Sequence, residues 1–326
     1  MANPADIVDI IQAPVLIKDD FIKSGTLVLD EKGNPVHYTG GFAIVFPFIV
    51  NGKMWAFRCW YNSIGNIGKR LKILSEELDK IHLPYFCKFQ YVDKGIVCDG
   101  NICPTTRMMW VDGQNIKDFI CTHASSPVIL KKLANSFKRM CIELHKNHIA
   151  HGDLQHGNII VNSKGEIFLI DYDSIFLPAL EGEKDIITGL PAYQHPSRIR
   201  NENEFANEKL DYFSELIIYL SIIAIADDPS LINDYSVKSS DCLLFCREDY
   251  KNLKESGIYK RLSSMGGDIP SLLGILVDYL SQKYISDLVP FEDLLHHNQS
   301  FYCIICGNRF HVNDHYCIRC GTKRYE

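Results

Sequence analysis

One segment restricts the chain more than any other. The loop His151-Gly152-Asp153-Leu154-Gln155-His156-Gly157-Asn158 enters the apolar run Ile159-Ile160-Val161. After the turn Asn162-Ser163-Lys164-Gly165, a second apolar run, Ile167 to Ile170, delivers Asp171. Two short β-prone runs joined by a polar turn ending in glycine predict a hairpin. A hairpin brings its outer ends together, so Asn158 and Asp171 should converge. One amide oxygen and one carboxylate are hard donors suited to magnesium. Asp153, five residues before Asn158, is left to accept a proton from an incoming hydroxyl. Taken singly, each residue is most simply a turn former. Taken as an ordered set, they imply phosphoryl transfer, which needs a metal, a positioned nucleophile and a phosphate clamp. Asp153, Asn158 and Asp171 are therefore the candidate catalytic residues, with Asn158 and Asp171 the candidate magnesium ligands.

The whole chain is consistent with an ordinary globular protein. Its 326 residues suggest about two domains, and 46% are hydrophobic. The net charge of -6 gives no global field toward nucleic acid or anionic membrane, so neither is an expected partner. The start MANPADIVDIIQAP has no basic stretch and does not read as a secretory signal. The longest apolar run, Leu216 to Ala226, is far short of the ~20 residues of a membrane helix. These features predict a soluble, cytoplasmic protein, and they leave the oligomeric state open.

The first hundred residues read mainly as strands. Leu27 to Leu29 precedes a turn at Asp30 to Asn34; Ala43 to Val50 and Lys53 to Trp60 flank Asn51-Gly52, a strong hairpin signal. Leu71, Leu74, Leu78 and Ile81 fall at helical spacing and predict a helix over about 67–81. Helices follow: one from Pro127, a buried one across the nearly continuous apolar stretch Leu210 to Ile225, and one near Leu272 to Leu280.

The chain closes on Cys303-x2-Cys306-Gly and Cys317-x2-Cys320-Gly. Two such knuckles supply four thiolates, enough for a closed tetrahedral zinc site. A piece with so little core would take its folding free energy from the metal. The other eight of the twelve cysteines are scattered, and they read as small buried hydrophobes.

The loop around Asp153 resembles the catalytic loop of the protein kinase superfamily, in its bacterial-type, eukaryotic-like serine/threonine form. Asp171-Tyr172-Asp173 stands where that family has Asp-Phe-Gly. Thr188-Gly189-Leu190-Pro191-Ala192-Tyr193-Gln194-His195-Pro196 is similar to the end of an activation segment, and Asp211 opens the long apolar helix as the family's anchoring Asp does. Upstream, Gly40-Gly41-Phe42-Ala43-Ile44-Val45 is similar to a glycine-rich loop, Ala56-Phe57-Arg58 to the strand carrying the phosphate-binding Lys, and Met108 to Gly113 to a hinge. The resemblance implies an α+β, two-lobed fold: an N-terminal extension over 1–14, a β-rich lobe over 15–112, an α-rich lobe over 113–298 and a zinc ribbon over 299–326. It also implies that ATP and magnesium are used and that a protein is the acceptor. Nucleotide would be held by Gly40, Gly41, Phe42, Val45, Ala56, Arg58, Met109, Val111 and Asp112.

The sequence departs from the family at several points. Arg58 replaces the Lys, Tyr38 and Ala43 replace two glycines, and Leu74 falls where the helix Glu belongs, with Glu76 and Glu77 nearby. Gly152 replaces an Arg, Gln155 a Lys, and Ser197 a Glu. These departures keep two alternatives open: a nucleotide-binding pseudokinase scaffold, and a small-molecule phosphotransferase of the aminoglycoside type, in which His-Gly-Asp is common.

Overall fold

The computed structural model describes residues 3–40, 42–61, 65–185, 189–200, 205–298 and 316–323. An antiparallel sheet dominates the first part of the chain and helices the later part. This mixed architecture is compatible with a kinase-like fold. The chain divides into two compact units, the first comprising Met1–Phe119, Glu143–Ile187 and Phe205–Glu208, the second Ile120–Ile142, Thr188–Glu204 and Lys209–Glu326.

The first unit is built on strands β1 (Thr26–Leu27), β2 (Tyr38–Thr39), β3 (Ala43–Val50), β4 (Lys53–Trp60), β5 (Phe89–Cys98) and β6 (Asn101–Met109). Their order is β1-β3-β4-β6-β5, with β2 also paired to β3. The β3–β4 turn is as the sequence predicts: Asn51 and Gly52 both take positive φ, 51° and 72°, the conformation that matches strand twist in a two-residue hairpin. Asp99 and Gly100 repeat it between β5 and β6, at 51° and 74°. Because side chains alternate along a strand, each strand has a core row and a second row. Ile44, Phe46 and Phe48 of β3 and Trp55, Phe57 and Cys59 of β4 fill the core. Helix α1 (Pro4–Gln12) joins that core through Ile7 and Ile11. Its first turn is closed by a capping box in which Asn3 and Asp6 each accept from the other's backbone N–H. Helix α2 (Asp20–Lys23) follows. Helix α3 (Gly65–Leu78) lies beside β5 and buries Leu71, Leu74 and Leu78. It ends three residues short of the periodicity, because Lys80 and Ile81 turn back onto the carbonyls of Glu77 and Leu78. A second sheet of three strands, β7 (Gln114–Asn115), β8 (Ile159–Val161) and β9 (Ile167–Leu169), completes the unit.

Helices α4 (Ile116–Thr122) and α5 (Pro127–Lys146) come next in sequence. The second unit contains parts of both, within Ile120–Ile142, and α6 (Pro196–Arg200), α7 (Tyr212–Asp227), α8 (Leu231–Asp234), α9 (Gly257–Ser263), α10 (Ile269–Ser281) and α11 (Phe291–Asn298). Helix α7 is apolar on every side and almost wholly buried, as such a helix must be. It packs with α10 and α11, where Tyr219 and Phe291 stack at 4.9 Å. Asp211, 1% exposed, opens α7 by accepting the Glu215 N–H on its carbonyl at 2.8 Å. The segment from Pro191 is tied down locally. The Tyr250 hydroxyl donates to the Ala192 carbonyl at 2.5 Å, His195 Nε2 donates to the Tyr279 carbonyl at 3.0 Å, and Tyr193 is buried.

Candidate functional site

The second row of the sheet forms one wall of a cavity of about 600 Å³ in the first unit. Strand register sets it out. Val45 of β3, Arg58 of β4 and Thr106 of β6 lie abreast, and the next row is Pro47, Ala56 and Met108. Tyr38, Thr39 and Gly40 extend the wall from β2, Met109 at the end of β6 and Trp110 to Gly113 after it continue it, and Ile160 of β8 with Ile170, Asp171 and Tyr172 after β9 line it from the other side. The volume lies in the usual range for small-ligand pockets. Its walls of Ala, Val, Ile and Met suit a flat heterocycle, while Arg58 and Asp171 supply polar groups.

The Asp153-to-Asp171 hairpin forms as the sequence predicts. Ile159 pairs with Leu169, and Asn162 N–H donates to the Glu166 carbonyl at 3.0 Å to close the turn. The Ile170 N–H donates to the Asn158 carbonyl at 3.0 Å, so the residue before Asp171 is fastened to Asn158. Asn158 Nδ2 donates to the Asp153 carbonyl at 2.8 Å and to Asp153 Oδ2 at 3.1 Å. Its amide nitrogen is thereby committed, which leaves the amide oxygen as the donor atom available to a ligand. Asn158 and Asp171 together are a hard-oxygen pair of the kind magnesium takes. His151 braces the loop, with Nε2 donating to the Ile170 carbonyl at 2.9 Å. Gln155 Oε1 accepts from Gly157 N–H at 2.8 Å and caps the short turn that carries Asn158. Asp171 sits in the left-handed region at φ 63°, ψ 81°, a conformation that costs a non-glycine residue about 1–3 kcal/mol and concentrates at functional sites.

Tyr172, where the family has Phe, is buried edge-on against Phe86 and Phe89 at 5.7 and 5.4 Å. Its hydroxyl donates to the Leu169 carbonyl at 2.9 Å and accepts from Cys87 N–H at 2.8 Å. Burial holds its pKa well above the ordinary tyrosine value.

Arg58 does not meet an acid on α3. Glu76 is exposed, and Glu77 binds Lys80 at 2.7 Å. The guanidinium instead forks onto Asp173, with Nη1 and Nη2 each at 2.8 Å from a carboxylate oxygen, and Nη1 also reaches Asp171 at 3.3 Å. It lies 5.8 Å from the Trp60 ring and lines the cavity at the same time. Burial lowers the Arg58 pKa, but Asp173 and Asp171 outweigh it, and the net shift is upward. Asp173 is pushed up by burial, held back by Arg58 and raised again by Asp171; its net shift is also upward. From α3, Arg70 donates Nε to the Asp173 carbonyl at 3.2 Å and Nη2 to the Ile175 carbonyl at 2.5 Å.

Of the candidate nucleotide residues, Gly40, Val45, Ala56, Arg58, Met109, Val111 and Asp112 line the cavity. Phe42 is 69% exposed and does not. Gly41 lies outside the described residues, as do Cys303 and Cys306. Cys317 and Cys320 flank a tight turn in which Gly321 N–H donates to the Cys317 carbonyl at 2.8 Å. No group of three or more His, Cys, Asp or Glu placed to hold a metal occurs among the described residues. The sequence places Asp173 at the third position of the Asp-Phe-Gly match without giving it a role, and it does not mark Arg70 or Thr106. Strand alternation from Met108 would have put Thr106 on the cavity row, whereas no local signal marks Arg70 or the role of Asp173.

Fold and site together support a protein-kinase-like phosphotransferase domain. Residues 105–176, which hold Asp153, Asn158 and Asp171, match the ABC1 atypical kinase-like domain family. The chain is similar to "Probable serine/threonine-protein kinase mkcD" of Dictyostelium discoideum, 45% identical over 56 residues covering 17% of this chain and 9% of that protein. It is also similar to "Probable serine/threonine-protein kinase mkcE" of the same organism, 27% identical over 181 residues, 52% of this chain and 24% of that protein. The chain thus spans about a quarter or less of the length of these relatives.

Proposed function

We propose that this chain uses ATP and magnesium to phosphorylate serine or threonine hydroxyls of a protein. One observation carries the reading. Asp153 and Asn158 bond each other, Asn158 is fastened to the residue preceding Asp171, and Asp171 lines the same cavity as Arg58. In the transfer, the acceptor oxygen bonds to the γ-phosphorus, the bond from that phosphorus to the β–γ bridging oxygen breaks, ADP leaves, and the hydroxyl proton passes to Asp153. Asn158 and Asp171 would hold magnesium, which supplies neutralisation of phosphate charge. Arg58 and Gly40 handle the phosphates, and the row Val45, Ala56 and Met109 to Asp112 receives the base.

A protein acceptor is favoured by the likeness of the segment ending at Pro196 to peptide-handling kinases; Thr188 at its start lies outside the described residues. The mkcD and mkcE names are of the same class. Arg58 engaged by two carboxylates favours a second reading, a pseudokinase that binds nucleotide without turnover. Incubation with γ-labelled ATP, magnesium and generic protein substrates separates the two. Label on serine or threonine is the expected result. Binding of ATP without transfer would establish the scaffold, and label on small hydroxyl compounds alone would establish the aminoglycoside-type alternative.

The reading extends to the rest of the chain. Lobes over 15–112 and 113–298 carry the site, following the extension at 1–14. Cys303, Cys306, Cys317 and Cys320 would hold one zinc in the module over 299–326. No helix of the described residues is long and apolar enough to cross a membrane, and a cytoplasmic location fits the scattered free cysteines.

A further inference from the structure

The phosphate-wall cation of this site has an unusual holder. Arg58 projects from β4 into the cavity, and a long flexible side chain there must be held to act as a clamp. The expected holder is an acid on the neighbouring helix. Here α3 offers none: Glu76 faces solvent and Glu77 is taken by Lys80. Helix α3 presents a cation in that direction instead. Arg70, 5% exposed, grips the carbonyls of Asp173 and Ile175. That grip fixes the backbone after Asp171 and presents the Asp173 carboxylate, 17% exposed, to both terminal nitrogens of Arg58.

We propose that Asp173 is the positioning residue of the site, holding Arg58 toward phosphate in place of a helix acid, with Arg70 as its support. The inference rests on the phosphotransfer reading and deepens it. The donor inventory allows it. A guanidinium has five N–H groups; Asp173 takes two and Asp171 one, leaving two for phosphate oxygens. Asp173 therefore orients Arg58 without exhausting it. A neutral amide at 173 accepts only one of the two bonds and removes the charge that keeps the fork in place. The control of Arg58 then lies in the segment after Asp171 and not in the acids of α3.

Kinetics and binding of the full chain test this with ATP, magnesium and a non-hydrolysable ATP analogue. Asp173→Asn is expected to raise KM for ATP about tenfold with a smaller change in kcat, the scale of one lost charge-assisted hydrogen bond. Asp173→Glu should recover part of the loss. In an Arg58→Ala background, Asp173→Asn should change KM no further, which a merely structural role would not produce. Glu76→Ala and Glu77→Ala should both keep the wild-type KM, and this arm holds even if the Asp173 variants fail to fold. A wild-type KM in Asp173→Asn, or a tenfold rise in either Glu variant, would overturn the proposal while leaving the phosphotransfer reading intact. A wild-type chain that binds no ATP analogue would overturn both.

Discussion

Gly152 stands where the family often has Arg, and its backbone explains the exchange. At φ 78° it adopts a conformation costly to other residues, and a Cβ there would lie 2.2 Å from the Ser174 carbonyl oxygen. Gly165 has nearly the same φ, 79°, but open space around it. Gly165→Ala should therefore cost only the conformational strain, about 1–2 kcal/mol. Gly152→Ala should cost clearly more, because backbone must move as well, and urea unfolding of the two variants will show it. Equal losses would mean that the contact with Ser174 does not matter. The same close approach keeps a long cation from position 152. The loop and hairpin that carry Asp153, Asn158 and Asp171 were legible in the sequence because short-range spacing sets them. Asp173 and Arg70 were not, because their meaning depends on contacts 115 and 103 residues apart in the chain.

At the scale of elements, the hairpins were the most readable parts. Asn51-Gly52 and the 162–165 turn carry their geometry in their own residues, and Asp99-Gly100 carried the same unused signal for the β5–β6 pair. The end of α3 was less readable, since apolar spacing continues to Ile81 after the helical hydrogen bonds have stopped. The role of α1 was invisible because a capping box and two isoleucines say where a helix starts but not which sheet it covers. Tyr172 ties the end of β9 to Cys87, two residues before β5, through its hydroxyl, which a Phe lacks. Tyr172→Phe would restore the family's residue and yet leave the buried Cys87 N–H without that acceptor. It should destabilise the fold by roughly 1–3 kcal/mol, read as a lowered midpoint in thermal unfolding. An unchanged midpoint would remove the hydroxyl from the account.

At the scale of the whole molecule, the sequence separated a β-rich first part from a helical second part, because alternation and continuous apolarity are different periodicities. It could not separate kinase from pseudokinase, since that depends on what Arg58 touches. The terminal module makes its own prediction: metal analysis of the purified protein should find about one zinc per chain, and metal-free protein would refute the four-thiolate site. Phosphoryl transfer at the hairpin from His151 to Asp171, as proposed, turns on the proton acceptor. The most direct measurement is the rate of label transfer from γ-labelled ATP to a protein acceptor by wild type and by Asp153→Asn at saturating ATP and magnesium. The variant should be slower by about 10²–10⁴-fold, with nucleotide affinity little changed, as expected for loss of a general base. Transfer at the wild-type rate in Asp153→Asn would contradict the account.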